Sequence, residues 1–299
     1  MTPSARAEST IEPASTPSIS EPGAEFGELT RVAVVMTCHN RRDSTVRCLS
    51  ALKAQEGGHA VLNLFVTDDG STDGTSQAIQ ADWPEATIIH GTGTLYWAAG
   101  MALAERSAVR SGPDYLLWLN DDTVLYPDAV PRLLAVSRDD PAAIVVGATV
   151  DPDTGEGTYG GRTRIDFHPQ RFARLPLAPH VQRADTFNGN VVLIPWRARV
   201  AVGPVDGAFP HAYADDDYGL RATAKGVPIV QAPGAVGTCS RNPATPWSPR
   251  GLTGRWQRLQ SPTGLPWRAQ SRYLRRHGDW RWPVLLLGGQ VRRVGSKGP

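Results

Sequence analysis

Between residues 31 and 130 the chain alternates short Val- and Leu-rich runs with stretches whose apolar residues fall at helical spacing. "RVAVVMTCHN" (31–40) predicts a buried parallel strand opening into a polar loop. "DSTVRCLSALKAQ" (43–55) predicts a helix with Asp43 or Ser44 as its cap. The same pair of signals recurs three times: "VLNLFVTDDGSTDGT" (61–75) before "TSQAIQADW", "ATIIHG" (86–91) before "YWAAGMALAERSAVRSG" (96–112), and "YLLWLNDDTVLYPDAV" (115–130) leading into a new helix. This order implies a doubly wound α/β sheet, in which ligands bind outside the carboxyl ends of the strands. Three strands deliver polar groups to that edge: His39–Asn40, Asp68–Asp69 and Asn120–Asp121–Asp122. Past residue 143 the pattern changes to mixed strands, "AIVVGATVD" and "NVVLIPW" (190–196), then a helix over 217–226 ending at Gly226, then "PIVQAPGAVG" as a further strand.

The chain has 299 residues, 40% of them hydrophobic, enough for one large domain or one domain with an appendage. Its net charge of +2 hides an uneven distribution. From Arg241 onward there are 12 Lys and Arg against one acid, Asp279; the first 240 residues hold 19 basic and 28 acidic side chains. A basic, Trp-rich tail on an acidic body calls for an anionic partner, either nucleic acid, a membrane surface or a phosphorylated substrate. Nothing in the body resembles a nucleic-acid-binding fold, so nucleic acid is set aside. Cys38, Cys48 and Cys239 form no CxxC pair, which excludes a zinc ribbon or disulfide framework and fits reduced thiols in the cytosol. The segment "MTPSARAESTIEPASTPSISEPGAEFGE" lacks the apolar run of a secretory signal, and its composition predicts a disordered leader. No apolar run reaches the ~18 residues that span a membrane, and "WPVLLLGG" (282–289) is too short.

Several acidic clusters could carry chemistry. Asn120, Asp121 and Asp122 follow an apolar strand, and adjacent carboxylates there tolerate each other if a cation such as Mg²⁺ or Mn²⁺ neutralises them. The plainer account is that Asp122 or Thr123 caps a helix. In "VTDDGSTDGT" turn and cap chemistry explains Ser71 to Thr75 but not Asp69, which could hydrogen-bond a nucleobase edge. "HAYADDDYGLRA" (211–222) sets Asp215, Asp216 and Asp217 side by side among aromatics. Repulsion and desolvation would raise a carboxylate's pKa there, as a general base requires. The competing account is that the acids stabilise a helix N-terminus. No GxSxG is present, and "GTGTLYWAAG" matches neither the dinucleotide fingerprint nor the P-loop.

Taken in order, "TCHNR … VTDDGSTDGT … LYWAAGMALA … LNDDT … FNGNVVLIP … DDDYGLRA" resembles the family 2 inverting glycosyltransferases of the GT-A fold. It is especially similar to bacterial rhamnosyl- and galactofuranosyl-transferases, over roughly residues 30–240. The resemblance implies a doubly wound mixed sheet with a C-terminal helical, basic extension. It divides the chain into a leader (1–29), a GT-A domain (30–245) and the extension (246–299). It implies transfer from a nucleoside-diphosphate sugar to a hydroxyl of a glycan or lipid-linked acceptor, in cell-surface polysaccharide or glycoconjugate synthesis. The expected setting is the cytoplasm, with peripheral attachment at the inner face of the membrane through the tail. Thr37, His39 and Arg41 match the loop bordering the base, and Asp69 the acid that contacts it. Asn120 or Asp121 would face the ribose, and Asp122 would hold the divalent cation bridging the diphosphate. Trp97 and Gly100 match the segment beside the donor sugar, and Asn188 and Gly189 the acceptor-side turn. Asp215 falls on the general base, Asp217 on an acceptor-orienting or supporting acid. Where the family often has a metal-binding histidine this chain has Cys239, either a soft, poorly matched ligand or simply a buried thiol. The alternative is a GT-A domain that has lost turnover and acts as a binding or regulatory partner; the intact Asp122 and Asp215 argue against it.

Overall fold

The computed structural model describes residues 29–56, 60–210, 212–241, 254, 256–257, 260–261 and 266–295. The expected disordered leader and the expected junction between body and tail near residue 245 lie outside the described residues, apart from Leu29.

The first half forms as the alternation predicts: β1 (Thr30–Cys38), α1 (Arg42–Lys53), β2 (Ala60–Asp68), α2 (Thr75–Asp82), β3 (Thr87–His90), α3 (Tyr96–Ala108) and β4 (Tyr115–Leu119). A short β5 (Val124–Leu125), α4 (Ala129–Asp139) and β6 (Ile144–Val150) follow. The loop-rich span contains β7 (Gly161–Arg164), β8 (Phe172–Arg174), β9 (Gln182–Arg183) and β10 (Thr186–Phe187). Then come β11 (Val191–Pro195), α5 (Trp196–Val202), α6 (Ala214–Ala224), β12 (Ile229–Thr238), α7 (Trp267–His277) and α8 (Trp282–Gly295).

The main sheet has the order β3-β2-β1-β4-β11-β6-β12-β5, with β9 added on β12. β3, β2, β1 and β4 run parallel, whereas β11 is antiparallel to both β4 and β6, so the sheet is mixed as expected. β10, β7 and β8 make a small antiparallel sheet beside it. The period of two along each strand assigns its side chains to two cores. Val32, Val34 and Met36 of β1 pack with Leu117 and Leu119 of β4 and with α1 and α4 on one face. Ala33 and Val35 pack with Leu116, Trp118, α3 and α6 on the other.

Two helix starts differ from the sequence expectation. α1 begins at Arg42 without a side-chain cap; Asp43 and Ser44 sit inside it, and the Arg42 N–H donates to Asp73 of the neighbouring loop at 3.0 Å. α6 begins at Ala214, not at residue 217, because Tyr213 takes a left-handed conformation with φ 77° that launches the helix early. All three acids of the run therefore lie in its first turn. The tail is not a separate layer, since Ala269, Tyr273 and Leu274 of α7 are buried in the core shared with α3 and α6. The Tyr273 hydroxyl donates to the Pro169 carbonyl at 2.7 Å, tying α7 to the small sheet's hairpin.

Candidate active site

Because β1, β2 and β4 are parallel neighbours in register, their terminal loops converge at one edge. The first two are laced together. Asn40, left-handed at φ 50°, donates its N–H to Ser71 Oγ at 2.9 Å and accepts the Thr72 N–H at 2.8 Å. His39 Nδ1 lies 2.6 Å from the Asp69 carbonyl. Asp69 itself is buried, and its carboxylate accepts the backbone N–H groups of Gly93, Leu95 and Tyr96 at 2.8, 2.8 and 3.0 Å. It thus fixes the "GTGTLY" turn, the glycine-rich stretch that matched no phosphate-binding motif. Gly91 must be glycine for this, since a methyl group there would lie 2.6 Å from the Asp69 carboxylate. Thr37 and Gly100 meet directly: a side chain at Gly100 would lie 2.2 Å from Thr37 Oγ1, so the pair sets how closely α3 approaches β1.

The third loop carries the acid pair. β5 follows it and no helix begins before Ala129, which removes the capping account of Asp122 and Thr123. Arg41 reaches across the edge, 2.9 Å from Asp122 and 3.4 Å from Asp121, rather than staying among its own loop's neighbours. Burial above all, with the Asp122 charge, pushes the Asp121 carboxyl up to about 7, while Arg41 opposes the shift. Asp121 Oδ2 is buried without a hydrogen-bond partner among the described residues. Cys239 sits beside the pair, its Sγ 3.4 Å from Asp122 Oδ1 and 3.6 Å from the Asn190 side-chain amide. Burial and the Asp122 charge push the thiol up to about 12, so it donates a proton to Asp122 instead of offering a thiolate.

The acid run joins this edge through a chain of contacts. The Trp97 indole N–H donates to Asn120 Oδ1 at 2.8 Å. The Trp97 ring covers Gly189, where a methyl group would lie 2.7 Å from it. The Gly189 N–H in turn donates to Asp215 Oδ2 at 3.2 Å. The three acids then differ sharply. Asp217 is fully buried and cross-linked to Arg221, Arg276 and His277 at 2.9, 2.6 and 2.9 Å. Burial works against its charge, but the His277 and Arg221 hydrogen bonds and the charges of Arg221 and Arg276 hold its pKa below the usual carboxylate value. Asp216 takes Arg162 on both oxygens, at 2.7 and 2.8 Å; burial and the Asp215 charge push its pKa up while Arg162 holds it back. Asp215, half-buried, accepts only two backbone N–H groups, from Gly189 and Asp216, and no cation pairs with it among the described residues. Asn188 is half-buried in the same turn, its N–H on the Gly160 carbonyl at 3.0 Å. Asn190 was missed in the sequence, although the doubled asparagine of "FNGNV" marks it: its carbonyl accepts the Asn120 N–H at 3.0 Å and it positions Cys239.

No group of three or more His, Cys, Asp or Glu side chains able to hold an ion occurs among the described residues. The acid pair nevertheless fits a hard cation of the Mg²⁺ or Mn²⁺ kind, which takes one or two protein carboxylates and completes its shell with water and phosphate oxygens. The unpartnered oxygen of Asp121 is an unmet acceptor of the right chemistry. Cys239 does not fit such a shell, being a protonated soft donor.

The family model described as glycosyl transferase family 2 matches residues 33–194, a little over half of the chain. Among solved structures, the chain resembles a mannosyltransferase from Pyrobaculum calidifontis in complex with GDP-Man and Mn²⁺, at 15% identity and TM-score 0.54, covering 89% of this chain and 72% of that one. It also resembles GalNAc-T7 with UDP, GalNAc and Mn²⁺, at 13% identity and TM-score 0.58, covering 90% of this chain but only 56% of that one. At these identities the likeness concerns the fold. No curated protein matches the chain.

Proposed function

Since the chain belongs to glycosyl transferase family 2 and has the GT-A fold, we propose that it moves a sugar from a nucleoside diphosphate to an acceptor hydroxyl with inversion at the anomeric carbon. The observation that carries this reading is the contact chain Asn120–Trp97–Gly189–Asp215, which sets a carboxylate without a cation partner beside the strand edge that bears the acid pair. Asp215 accepts the proton of the acceptor hydroxyl as its oxygen bonds to the anomeric carbon. The bond from that carbon to the diphosphate breaks, and the nucleoside diphosphate leaves from the opposite face. Asp216 and Asp217 are committed to Arg162 and to the α7 cross-link, so neither is free for this task. Asp122, with Asp121 beside it, would hold Mg²⁺ or Mn²⁺, which supplies charge neutralisation at the leaving diphosphate. Arg41 balances the same acids and Cys239 keeps one Asp122 oxygen oriented. Asp69, through the 93–96 turn, shapes the wall on the base side, and Trp97 the wall on the sugar side.

The acceptor is read as a glycan or lipid-linked sugar used at a membrane surface. Support comes from α8, whose outer face exposes Val284, Leu287 and Val291, with Trp280 just before it. No helix among the described residues is long and apolar enough to cross a membrane. Incubation with a panel of nucleoside-diphosphate sugars and Mn²⁺ or Mg²⁺, scoring release of the nucleoside diphosphate, tests the reading. Slow hydrolysis of at least one donor is expected; neither hydrolysis nor binding of any donor would overturn it.

A further inference from the structure

α7 carries no acidic residue, and its four arginines, Arg268, Arg272, Arg275 and Arg276, fall at i, i+4, i+7 and i+8, on one face of the helix. Like charges at this spacing destabilise a helix. The same four residues line a cavity of about 760 Å³, and Ala208 and Pro210 form another part of its wall. That wall leads, within a few residues, into the first turn of α6 and Asp215.

Two of the guanidiniums are held in place. Asp206 accepts Arg272 Nε and Nη2 at 2.8 and 3.1 Å and Arg276 Nη2 at 3.1 Å, while the other arm of Arg276 reaches Asp217 at 2.6 Å. Each of these carboxylates is shared, Asp206 by two arginines and Asp217 with Arg221 and His277. The remaining two arginines have no carboxylate partner among the described residues. Arg275 lies over the Trp282 ring, 4.6 Å from its centroid, and Arg268 over Trp267 at 5.9 Å. Stacking fixes a guanidinium plane without neutralising it. The cavity therefore presents oriented, planar, charge-assisted donors with an excess of about two positive charges. A single carboxylate would leave half of that unbalanced; a diphosphate matches it and suits the guanidinium fork.

We propose that this cavity binds a diphosphate, or an equivalent phosphate dianion, carried by the acceptor. The word acceptor rests on the glycosyltransferase reading; the anion site does not. None of the residues lining the cavity belongs to the strand edge with Asp121 and Asp122, so the group bound is not the donor's diphosphate. Held on α7 beside the start of α6, such a group would orient the acceptor toward Asp215, with Arg276 and Asp217 as the physical link between the two helices.

The test is calorimetric titration of the full chain with inorganic pyrophosphate after divalent cations are dialysed away, which silences a metal-dependent donor site. Wild type should bind, and the Arg268→Gln/Arg275→Gln double variant should bind at least about tenfold more weakly with an unchanged melting temperature, as expected for loss of two charge-assisted contacts. Equal affinity in the two proteins, or no binding by wild type at millimolar pyrophosphate, would overturn the proposal, as would a dicarboxylate such as glutarate binding as tightly. A short prenyl diphosphate binding at least as well as pyrophosphate supports a diphosphate on the acceptor. Arginine-dependent binding to anionic vesicles without any binding of either diphosphate sinks it in favour of a lipid headgroup. Donor titration of wild type with Mn²⁺ separates the two readings: if it fails while pyrophosphate binding stands, the glycosyltransferase reading falls and the anion site remains.

Discussion

Asp215, Asp216 and Asp217 are neighbours in sequence, yet their partners give them three different tasks. Asp215→Asn should lower transfer by about 10²–10⁴-fold, the usual cost of losing a general base, with donor affinity nearly unchanged. The amide keeps the shape of the carboxylate and its one oxygen accepts one of the two backbone N–H groups, from Gly189 and Asp216, that Asp215 holds, so folding should survive the loss of the other at the half-buried site. Transfer assays beside donor titration check it, and a variant keeping more than about a tenth of wild-type turnover would place the base elsewhere. Asp122→Ala should instead abolish metal-dependent binding of the nucleoside diphosphate, measured by calorimetry with and without Mn²⁺. Unchanged affinity would remove Asp122 as the anchor. Both residues were legible in the sequence, because each follows a strong local signal, a strand end or an aromatic-flanked acid run. Their partners were not. Arg41 meets Asp122 across 81 positions and Arg276 meets Asp217 across 59, and no local pattern encodes a pairing at that range. Asp69 was legible as an unexplained acid, but its three backbone donors come from a turn that only the fold brings near.

At the scale of elements, α6 and α7 act as one unit through Asp217. The sequence placed the helix start at residue 217 because nothing local announces that Tyr213 turns left-handed; the structure moves the start to Ala214 and buries the third acid. Removing that carboxylate leaves the Arg221 guanidinium without its carboxylate partner and Arg276 with only the Asp206 carboxylate that it shares with Arg272. Asp217→Asn should therefore cost about 3–5 kcal/mol at neutral pH, the range for breaking a buried ion pair from one side. The pH dependence has a definite sign. Asp217 has a folded-state pKa below its unfolded value, so its contribution is complete above the unfolded value and is lost as pH falls through the folded one. Denaturant unfolding of wild type and variant should show a wide gap at pH 7 that narrows below about pH 4. A gap independent of pH would mean that the loss comes from packing rather than from the charge. The alternation of strands and helices in the first half was readable from periodicity, whereas the strand order and the antiparallel insertion of β11 between β4 and β6 were not, since a run such as "VVLIP" states its burial but neither its neighbours nor its direction.

For the whole molecule, the basic tail resolves into an inward part and an outward part. α7 belongs to the core, so deleting the tail would remove Ala269, Tyr273 and Leu274, uncover the α3 and α6 core they share and unfold the body; a truncation therefore cannot report on membrane binding. α8 offers a cleaner test. Trp282, Leu285 and Leu286 pack inward, while Val284, Leu287 and Val291 are 71%, 68% and 71% exposed, and Trp280 is 83% exposed. These four residues are spaced by four, three and four, a continuous apolar stripe that faces solvent. Arg275 and Arg281 are near its start, and Arg292 and Arg293 follow it in the sequence. That combination suits the interface of an anionic bilayer, with the apolar face at the acyl boundary and the cations among the phosphates. Burying one leucine there contributes about 1.5–3 kcal/mol. Leu287→Asp should accordingly reduce co-sedimentation with anionic liposomes by about 10–100-fold. Because Leu287 is mostly exposed and belongs to neither core, the melting temperature should not change. Raising salt should weaken wild-type binding as the electrostatic share is screened, and neutral liposomes should bind poorly. If Leu287→Asp partitions as wild type does, the stripe is not the membrane face.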